Sequence, residues 1–363
     1  MADRPHVLVV GAGIIGASIA WHLARAGARV TVLEANVPGG IATRNSWAWI
    51  NASWGNPEPY FRLRVRAMQE WRRLEQEVPG LGVTWTGSLL WELPPGQLKA
   101  LAVEHTAWGY DIRRVDRTAA RRIEPHLATP PDFALHVPDE GSVEPLAATL
   151  ALLSAARGLG ATVIADTPVR RLGLSAGLVS GVETDRMRHT ADAVVVACGA
   201  GTADLVATVG LRLAVAASPA LLVVTQPHLR CLNGLVMPPD MQVRQTAEGR
   251  LVATAGFAAT DPGADGSAEA TALIDAMRGM FDSGASISPD YHVVGRRPMP
   301  GDGCPVVGSV GSIPGLYVAV MHSGITLAPA IGRFVADELL TGKRDNLAAP
   351  YRPERLLDTL PAT

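Results

Sequence analysis

The segment VLVVGAGIIGASIAWHLARAGARVTVLE, residues 7–34, constrains the fold more than any other part of the chain. Four apolar, mostly β-branched residues at 7–10 read as a buried strand. Gly11, Gly13 and Gly16 then form a G-x-G-x-x-G turn, a helix runs through Ile19, Leu23 and Ala26, and residues 30–33 make a second strand ending on Glu34. Gly11 permits the tight turn, Gly13 lets main chain approach a pyrophosphate, and Gly16 lets the helix lie close to the strand. The amides opening the helix, at Ile14 and Ile15, and its positive dipole end suit a diphosphate. Glu34, with Ala35 beside it, is placed to accept from a ribose 2′-hydroxyl and to repel a 2′-phosphate. The expected ligand is an adenine dinucleotide; a glycine-rich turn without a ligand is the alternative.

With 363 residues the chain is long enough for one large or two medium domains. A net charge of −2 gives no electrostatic footprint for nucleic acid or an anionic membrane. Cys198, Cys231 and Cys304 lie far apart with no CxxC pair, so neither a metal site nor a disulfide framework is expected. Free thiols fit a reducing cytoplasm, the expected location. The apolar N-terminal run is broken by glycines and followed by a helix bearing His22 and Arg25, unlike a signal peptide or membrane span.

Further along, residues 61–77 have helical periodicity, with Leu63, Ala67, Trp71 and Leu74 on one side. Residues 83–93 read as a strand pair turning at Thr86–Gly87. Residues 97–124 read as helix, short strand (110–115) and helix. A helix over 145–159 precedes strands at 162–164 and 169–174, a hairpin returns along 178–184, and 191–197 is a buried strand. Residues 213–260 carry several short strands separated by turn signals, which suggests an antiparallel sheet. A helix over 268–283, a strand at 316–320 and a helix from 326 to 340, stopped by Gly342, complete the pattern. The expected architecture is mixed α/β (α+β): a Rossmann-like dinucleotide-binding domain (1–80, 142–212 and 295–363) interleaved with a substrate domain on a large antiparallel sheet (81–141 and 213–294).

Four segments in order resemble the FAD-dependent amino-acid and amine oxidoreductases, the family of glycine oxidase, sarcosine oxidase and D-amino-acid oxidase. They are the fingerprint ending at Glu34; GGIATRNS (39–46); DTPVRRL (166–172) with ADAVVVACGAGT (191–202); and VVGRRPMPGDGCPVVG (293–308) with GLYVAVMHSGITLAPAIG (315–332). The similarity spans nearly the whole chain and implies FAD as cofactor. It implies that Arg44, Asn45 and Ser46 pass along the pyrophosphate toward the flavin, that the Val169 backbone meets the adenine, and that Cys198 and Gly199 form a turn beside the cofactor. The stretch His322-Ser323-Gly324-Ile325-Thr326 follows a buried strand and opens a helix. Gly324, Ile325 and Thr326 are thus expected to direct positive backbone charge at a flavin that becomes anionic on reduction, an ordinary glycine-opened helix being the alternative. The covalent-cysteine position of the sarcosine-oxidase branch holds an arginine here, so FAD is expected to be noncovalent.

For the substrate, Arg297 offers a planar fork for a carboxylate and matches the glycine-oxidase arginine with that task. Arg296 beside it and a structural ion pair are the alternatives. The relatives' second arginine is replaced near His322, so a two-arginine clamp is not expected. His322 could bond flavin or substrate, or accept a proton. Trp49, with Trp47 two residues away, walls the cleft or packs in the core. Tyr60, Tyr291 and Arg244 are weaker candidates, Arg244 being expected in an ion-paired or solvated role. The implied reaction is hydride transfer from a small amine or amino acid to flavin N5, followed by hydrolysis of the imine. Sarcosine-oxidase relatives activate oxygen with a lysine, but no lysine lies between Lys99 and Lys343. Oxygen, a quinone or a partner subunit are therefore all open as acceptors, and a homo- or hetero-oligomer is possible. Oxidation of a 2-hydroxy acid and a non-catalytic FAD-binding subunit are the other readings.

Overall fold

A computed structural model of the protein describes residues 4–256 and 265–360. Its centre is a six-stranded sheet in the order Val306–Ser309, Leu316–Val320, Ala193–Val196, His6–Val10, Arg29–Leu33, Thr162–Ile164. Neighbours run parallel except the first two, which are antiparallel. Parallel strands covered on both faces need continuous apolar runs, and VLVV, AVVV and LYVAV supply them, nearly every side chain being buried. The helix Ile14–Arg25 crosses from the first strand to the second and packs against the last long helix, Gly324–Thr341, where Ser18 Oγ donates to the Ala328 carbonyl at 2.7 Å.

A second sheet has eight strands, ordered Pro289–Pro300, Val215–Pro227, Arg250–Ala255, Met241–Gln245, Leu235–Met237, Ser88–Leu90, Phe133–Val137, Arg113–Asp116. All pairs are antiparallel except Leu235–Met237 with Ser88–Leu90. Side chains alternate along each strand. Leu221, Val223, Val243 and Ala253 join a core with Leu273, Ile274 and Met277 of the helix Ser267–Met280. Their neighbours Leu222, Gln242 and Thr254 line a cavity on the other side.

The structure corrects two expectations about elements. Residues 83–93 are not a hairpin: Val83–Thr84 pairs with Gly141–Val143 in a small sheet that also holds Trp49–Ile50, while Ser88–Leu90 joins the eight-stranded sheet. The apolar runs suit either strand partner, and only tertiary pairing chooses. The region 213–260 includes one strand of 13 residues, Val215–Pro227, whose Ser218 and Pro219 look like turn residues but sit opposite Arg297 and Arg296. Residues 257–260 of that region lie outside the described residues.

Candidate active site

Between the sheets lies a cavity of about 1080 Å³. Val10, Leu33, Ala197 and Val320 on its wall mark the carboxyl ends of four parallel strands, where ligands of open α/β sheets bind. Pockets for single drug-sized ligands run to about 300–1,000 Å³, so this space, at the upper end of that range, suits an extended ligand.

One part of the wall is mostly main chain. Gly11 has φ +103°, and a Cβ there would stand 2.6 Å from the Ala197 carbonyl. Gly16 is not on the wall; a Cβ on it would meet the Gly11 carbonyl at 1.9 Å, so its task is helix–strand approach. Gly13 caps the helix without a side-chain acceptor. Ile14 N–H donates to Thr43 Oγ1 at 3.1 Å, and the next first-turn amides, Ile15 and Gly16, have no partner within the helix. Glu34 is buried and fixed by amides of Ala12 (2.7 Å) and Asn36 (3.1 Å), with Ala35 and Val169 beside it on the wall. Arg44, Asn45, Ser46, Cys198 and Gly199 also line the cavity. Arg44 donates to the Pro38 carbonyl at 3.2 Å, and Ser46 Oγ accepts from Ala48 N–H at 3.0 Å. Burial raises the Cys198 thiol to about 11, which keeps it protonated. A glycine-lined approach, a helix start without a side-chain cap and an oriented acid are what an extended adenine dinucleotide requires, so the residues present fit FAD.

The other part is built from side chains. The helix Gly324–Thr341 opens on Ser323 with no side-chain cap, and His322, Gly324, Ile325 and Thr326 line the cavity. Thr326 Oγ1 donates to the Trp49 carbonyl at 3.0 Å and accepts from Asn51 N–H at 3.3 Å, tying the helix start to the strip from Trp49 to Asn51. Arg297 lies half-buried on the strand Pro289–Pro300 and donates to Ser218 Oγ (3.2 Å) and the Pro219 carbonyl (3.0 Å). Arg296 also reaches the wall but is exposed. Burial pushes His322 down to about 4, with Arg297 and then Arg64 adding to the effect. It is therefore neutral near pH 7, a hydrogen-bonding group and a poor proton acceptor.

Trp49 serves both accounts offered for it. It lines the cavity, while its indole N–H reaches Glu140 Oε2 at 3.1 Å and its ring packs edge-on against Trp47, centroids 5.6 Å apart. Tyr60 is buried on the wall, and its hydroxyl meets no acceptor among the described residues. Arg244 is ion-paired as expected, buried against Glu144 at 2.7 Å. Tyr291 is 54% exposed and off the wall, so it leaves the set of candidates: its strand turns that position outward. Beside Arg297 and Arg296, a further arginine reaches the wall. Arg64, on the helix Glu58–Glu77, lines the same cavity and is 4% exposed. Its place on the apolar side, one turn after Tyr60 and two before Trp71, was the available signal, since a charge on a buried stripe is rare unless paired. Asn51 and Gln242 also reach the wall, without a motif to announce them.

The fold and cavity define a dinucleotide-dependent oxidoreductase with a sheltered substrate chamber. The chain belongs to the FAD dependent oxidoreductase (DAO) family, whose profile matches residues 6–338, and it is an enzyme that uses FAD. It is 28% identical over 367 residues to glycine oxidase of Bacillus licheniformis, covering 94% of each chain. It is 30% identical over 371 residues to 4-methylaminobutanoate oxidase (formaldehyde-forming) of Paenarthrobacter nicotinovorans, covering 92% of this chain and 43% of that one. Iminodiacetate oxidase of Chelativorans sp. BNC1 superposes with a TM-score of 0.83 at 26% identity, covering 96% of this chain and 98% of that one. Among the described residues no helix is long and apolar enough to cross a membrane, and no cluster of side chains could hold a metal ion.

Proposed function

We propose that the enzyme oxidises the C–N bond of a small amine or amino acid, with Arg297 holding the substrate carboxylate. One observation carries this reading: Arg297, which donates to the Ser218 hydroxyl and the Pro219 carbonyl, shares one chamber with His322 and the start of the helix Gly324–Thr341. The glycine and iminodiacetate named by two relatives, and the methylamine carried by the substrate of a third, belong to this class. When bound, FAD would supply the two-electron acceptor: hydride leaves the substrate carbon and a proton leaves its nitrogen, the C–N bond becomes C=N, and water hydrolyses the imine to carbonyl and amine. The protein's contribution is orientation: Arg297 fixes one end of the substrate, neutral His322 offers a hydrogen bond, and Trp49 limits where the reacting carbon can lie. A helix start without a side-chain cap places partial positive charge where negative charge develops.

In this reading the six-stranded sheet and its helices carry the cofactor, and the eight-stranded sheet carries the substrate. Gly11, Gly13, Ile14 and Ile15 cradle the diphosphate. Glu34 holds the ribose, Ala35 and Val169 the adenine. Arg44, Asn45, Ser46, Cys198 and Gly199 follow the chain of the cofactor, and Gly324, Ile325 and Thr326 meet the ring. The cofactor is noncovalent, and acid precipitation should release all yellow colour into the supernatant. Among the described residues no lysine lies on the cavity wall, so the lysine with which sarcosine-oxidase relatives activate oxygen has no counterpart there. Anaerobic mixing with amines, amino acids and 2-hydroxy acids tests the reaction: bleaching at 450 nm by the nitrogen compounds supports it, and bleaching by hydroxy acids alone overturns it. Dye reduction compared with peroxide release, on the same substrate, decides the acceptor.

A further inference from the structure

The helix Glu58–Glu77 carries five arginines, and four of them are neutralised. Arg62 pairs with Glu58, Arg66 with Glu70, Arg72 with Asp139, and Arg73 with Glu70 and Glu77. Arg64 is the most buried of the five and joins no ion pair among the described residues. Its guanidinium is held by neutral groups only: Nε donates to the Asn51 carbonyl (3.0 Å), one terminal nitrogen to Asn51 Oδ1 (2.5 Å) and the other to Ser323 Oγ (2.8 Å). Three of five N–H groups are thereby used, and two remain. The Tyr60 ring lies below it, 5.4 Å from the guanidinium carbon to the ring centroid.

Among the described residues no carboxylate pairs with Arg64. Glu140, fully buried, accepts five hydrogen bonds, from Trp49, Ala52, Ser53, Ser88 and Tyr110. On the cavity wall Glu34 holds two amides and Asp302 pairs with Arg355, while Asp204 follows the turn Gly199–Gly201. A buried cation with no counter-ion is costly. This one is rigidly held, faces the chamber and acts on the same histidine as Arg297.

We propose that Arg64 is a second anion-binding residue of the substrate chamber, and that the preferred substrates are amino acids bearing two acidic groups, one for Arg297 and one for Arg64. The inference rests on the amine-oxidising reading for turnover, but not for binding. With the reacting nitrogen neutral, a second carboxylate supplies the counter-charge that Arg64 lacks among the described residues, whereas a monocarboxylate held by Arg297 leaves Arg64 uncompensated. The second acid can sit on the nitrogen substituent or on the side chain, and matched pairs separate these cases.

The holoenzyme is assayed by anaerobic flavin bleaching with N-(carboxymethyl)glycine against N-ethylglycine, and with aspartate against 2-aminobutyrate in both hands. The diacid of at least one pair should exceed its partner in kcat/KM by tenfold or more. Arg64→Met should bring that ratio to near one, and Arg64→Lys, which keeps the charge, should retain part of it. Ratios near one in the parent enzyme, or unchanged in a yellow, folded Arg64→Met protein, overturn the proposal. So does a variant that alters only the flavin spectrum, which would assign Arg64 to the cofactor. A second measurement needs no turnover. Malonate or succinate, titrated while flavin absorbance is followed, should bind at least tenfold more tightly than acetate or propionate, and Arg64→Met should abolish the difference. Diacid binding without any bleaching by amines would sink the reaction reading and leave this one standing; bleaching with no diacid preference would do the reverse.

Discussion

Around Glu34 the cavity wall is mostly main chain, built on the βαβ unit of residues 6–34 with Val169 and the turn at Cys198–Gly199 beside it, whereas around His322 it is side chains gathered from five separated stretches: Trp49–Asn51, Tyr60–Arg64, Gln242, Arg297 and His322–Thr326. The first kind of site depends on backbone conformation, so its requirements are glycines, a helix start and one acid. The second depends on where distant elements bring their side chains, and its contacts are hydrogen bonds between them, such as Arg64 to Ser323 across the sequence. Substitutions in the two regions should therefore separate cofactor binding from substrate selection.

The largest effect is expected at Arg297. Arg297→Met should keep its yellow colour and thermal midpoint but lose roughly 30- to 3,000-fold in kcat/KM for an amino acid. That range follows from the about 2–5 kcal/mol cost of truncating one partner of a buried charge pair. Stopped-flow bleaching measures it, and an equal loss with a substrate lacking a carboxylate would show that the residue acts on the cofactor side. Next is Gly13→Ala. In the protein itself the added Cβ meets only Thr43 Oγ1, at 3.2 Å, so the apoprotein should fold. The methyl intrudes where a pyrophosphate must approach. With about 1.5–3 kcal/mol lost for a hydrogen bond to a charged group, FAD affinity should fall roughly 10- to 100-fold. Fluorescence titration of the apoprotein reads this, and unchanged affinity would break the contrast between the regions.

How much of this was legible before the fold was known follows the same division. Gly11, Gly13, Gly16 and Glu34 act through local backbone geometry, and spacing alone locates them. Arg297 was legible only through the company of its motif. The structure then separates it from Arg296 by strand alternation, one residue half-buried and hydrogen-bonded, its neighbour exposed. Arg64 carries no local motif: the other four arginines of its helix are ion-paired, and only its position on the apolar stripe sets it apart. Tyr291 was misplaced because nothing local tells which side of a strand faces a chamber. The long strand Val215–Pro227 was hidden by a serine–proline pair that pairing with Arg297 and Arg296 overrides.

Tyr60→Phe should give a smaller and two-sided result. Its hydroxyl is buried with no acceptor among the described residues, and an unmet buried polar group costs about 1–3 kcal/mol. Removing the oxygen should raise the thermal midpoint of the apoprotein slightly. Should substrate supply the missing acceptor, kcat/KM falls about 3- to 10-fold, the worth of one neutral hydrogen bond. A stabler variant with unchanged kcat/KM would confine the hydroxyl to packing and weaken the view that this wall is built for polar contact.

The smallest effect on turnover sets a histidine behind the cofactor wall against the one in the chamber. His22 is buried between the helices Ile14–Arg25 and Gly324–Thr341, its Nδ1–H donating to the Ser18 carbonyl at 2.8 Å and its Nε2 accepting from Arg73 at 2.9 Å. Burial takes it down to about 3 and His322 to about 4. Both are thus neutral in the folded protein at pH values where the unfolded chain, with an ordinary histidine value of about 6.5, already binds the proton. Between pH 6.5 and 4.5 the unfolded state therefore takes up more protons, and stability must fall as pH falls, by up to about 1.4 kcal/mol per pH unit from His22. His6, His105 and His136, also lowered by burial, act with the same sign. His22→Gln keeps one donor and one acceptor but cannot titrate. Its urea midpoint should decline less steeply than the parent's across that window, while the pH profile of flavin bleaching stays the same. A parallel decline would mean that Arg73 and the helix Gly324–Thr341 yield to a charged His22, making the packing behind the cofactor as adaptable as the chamber in front of it.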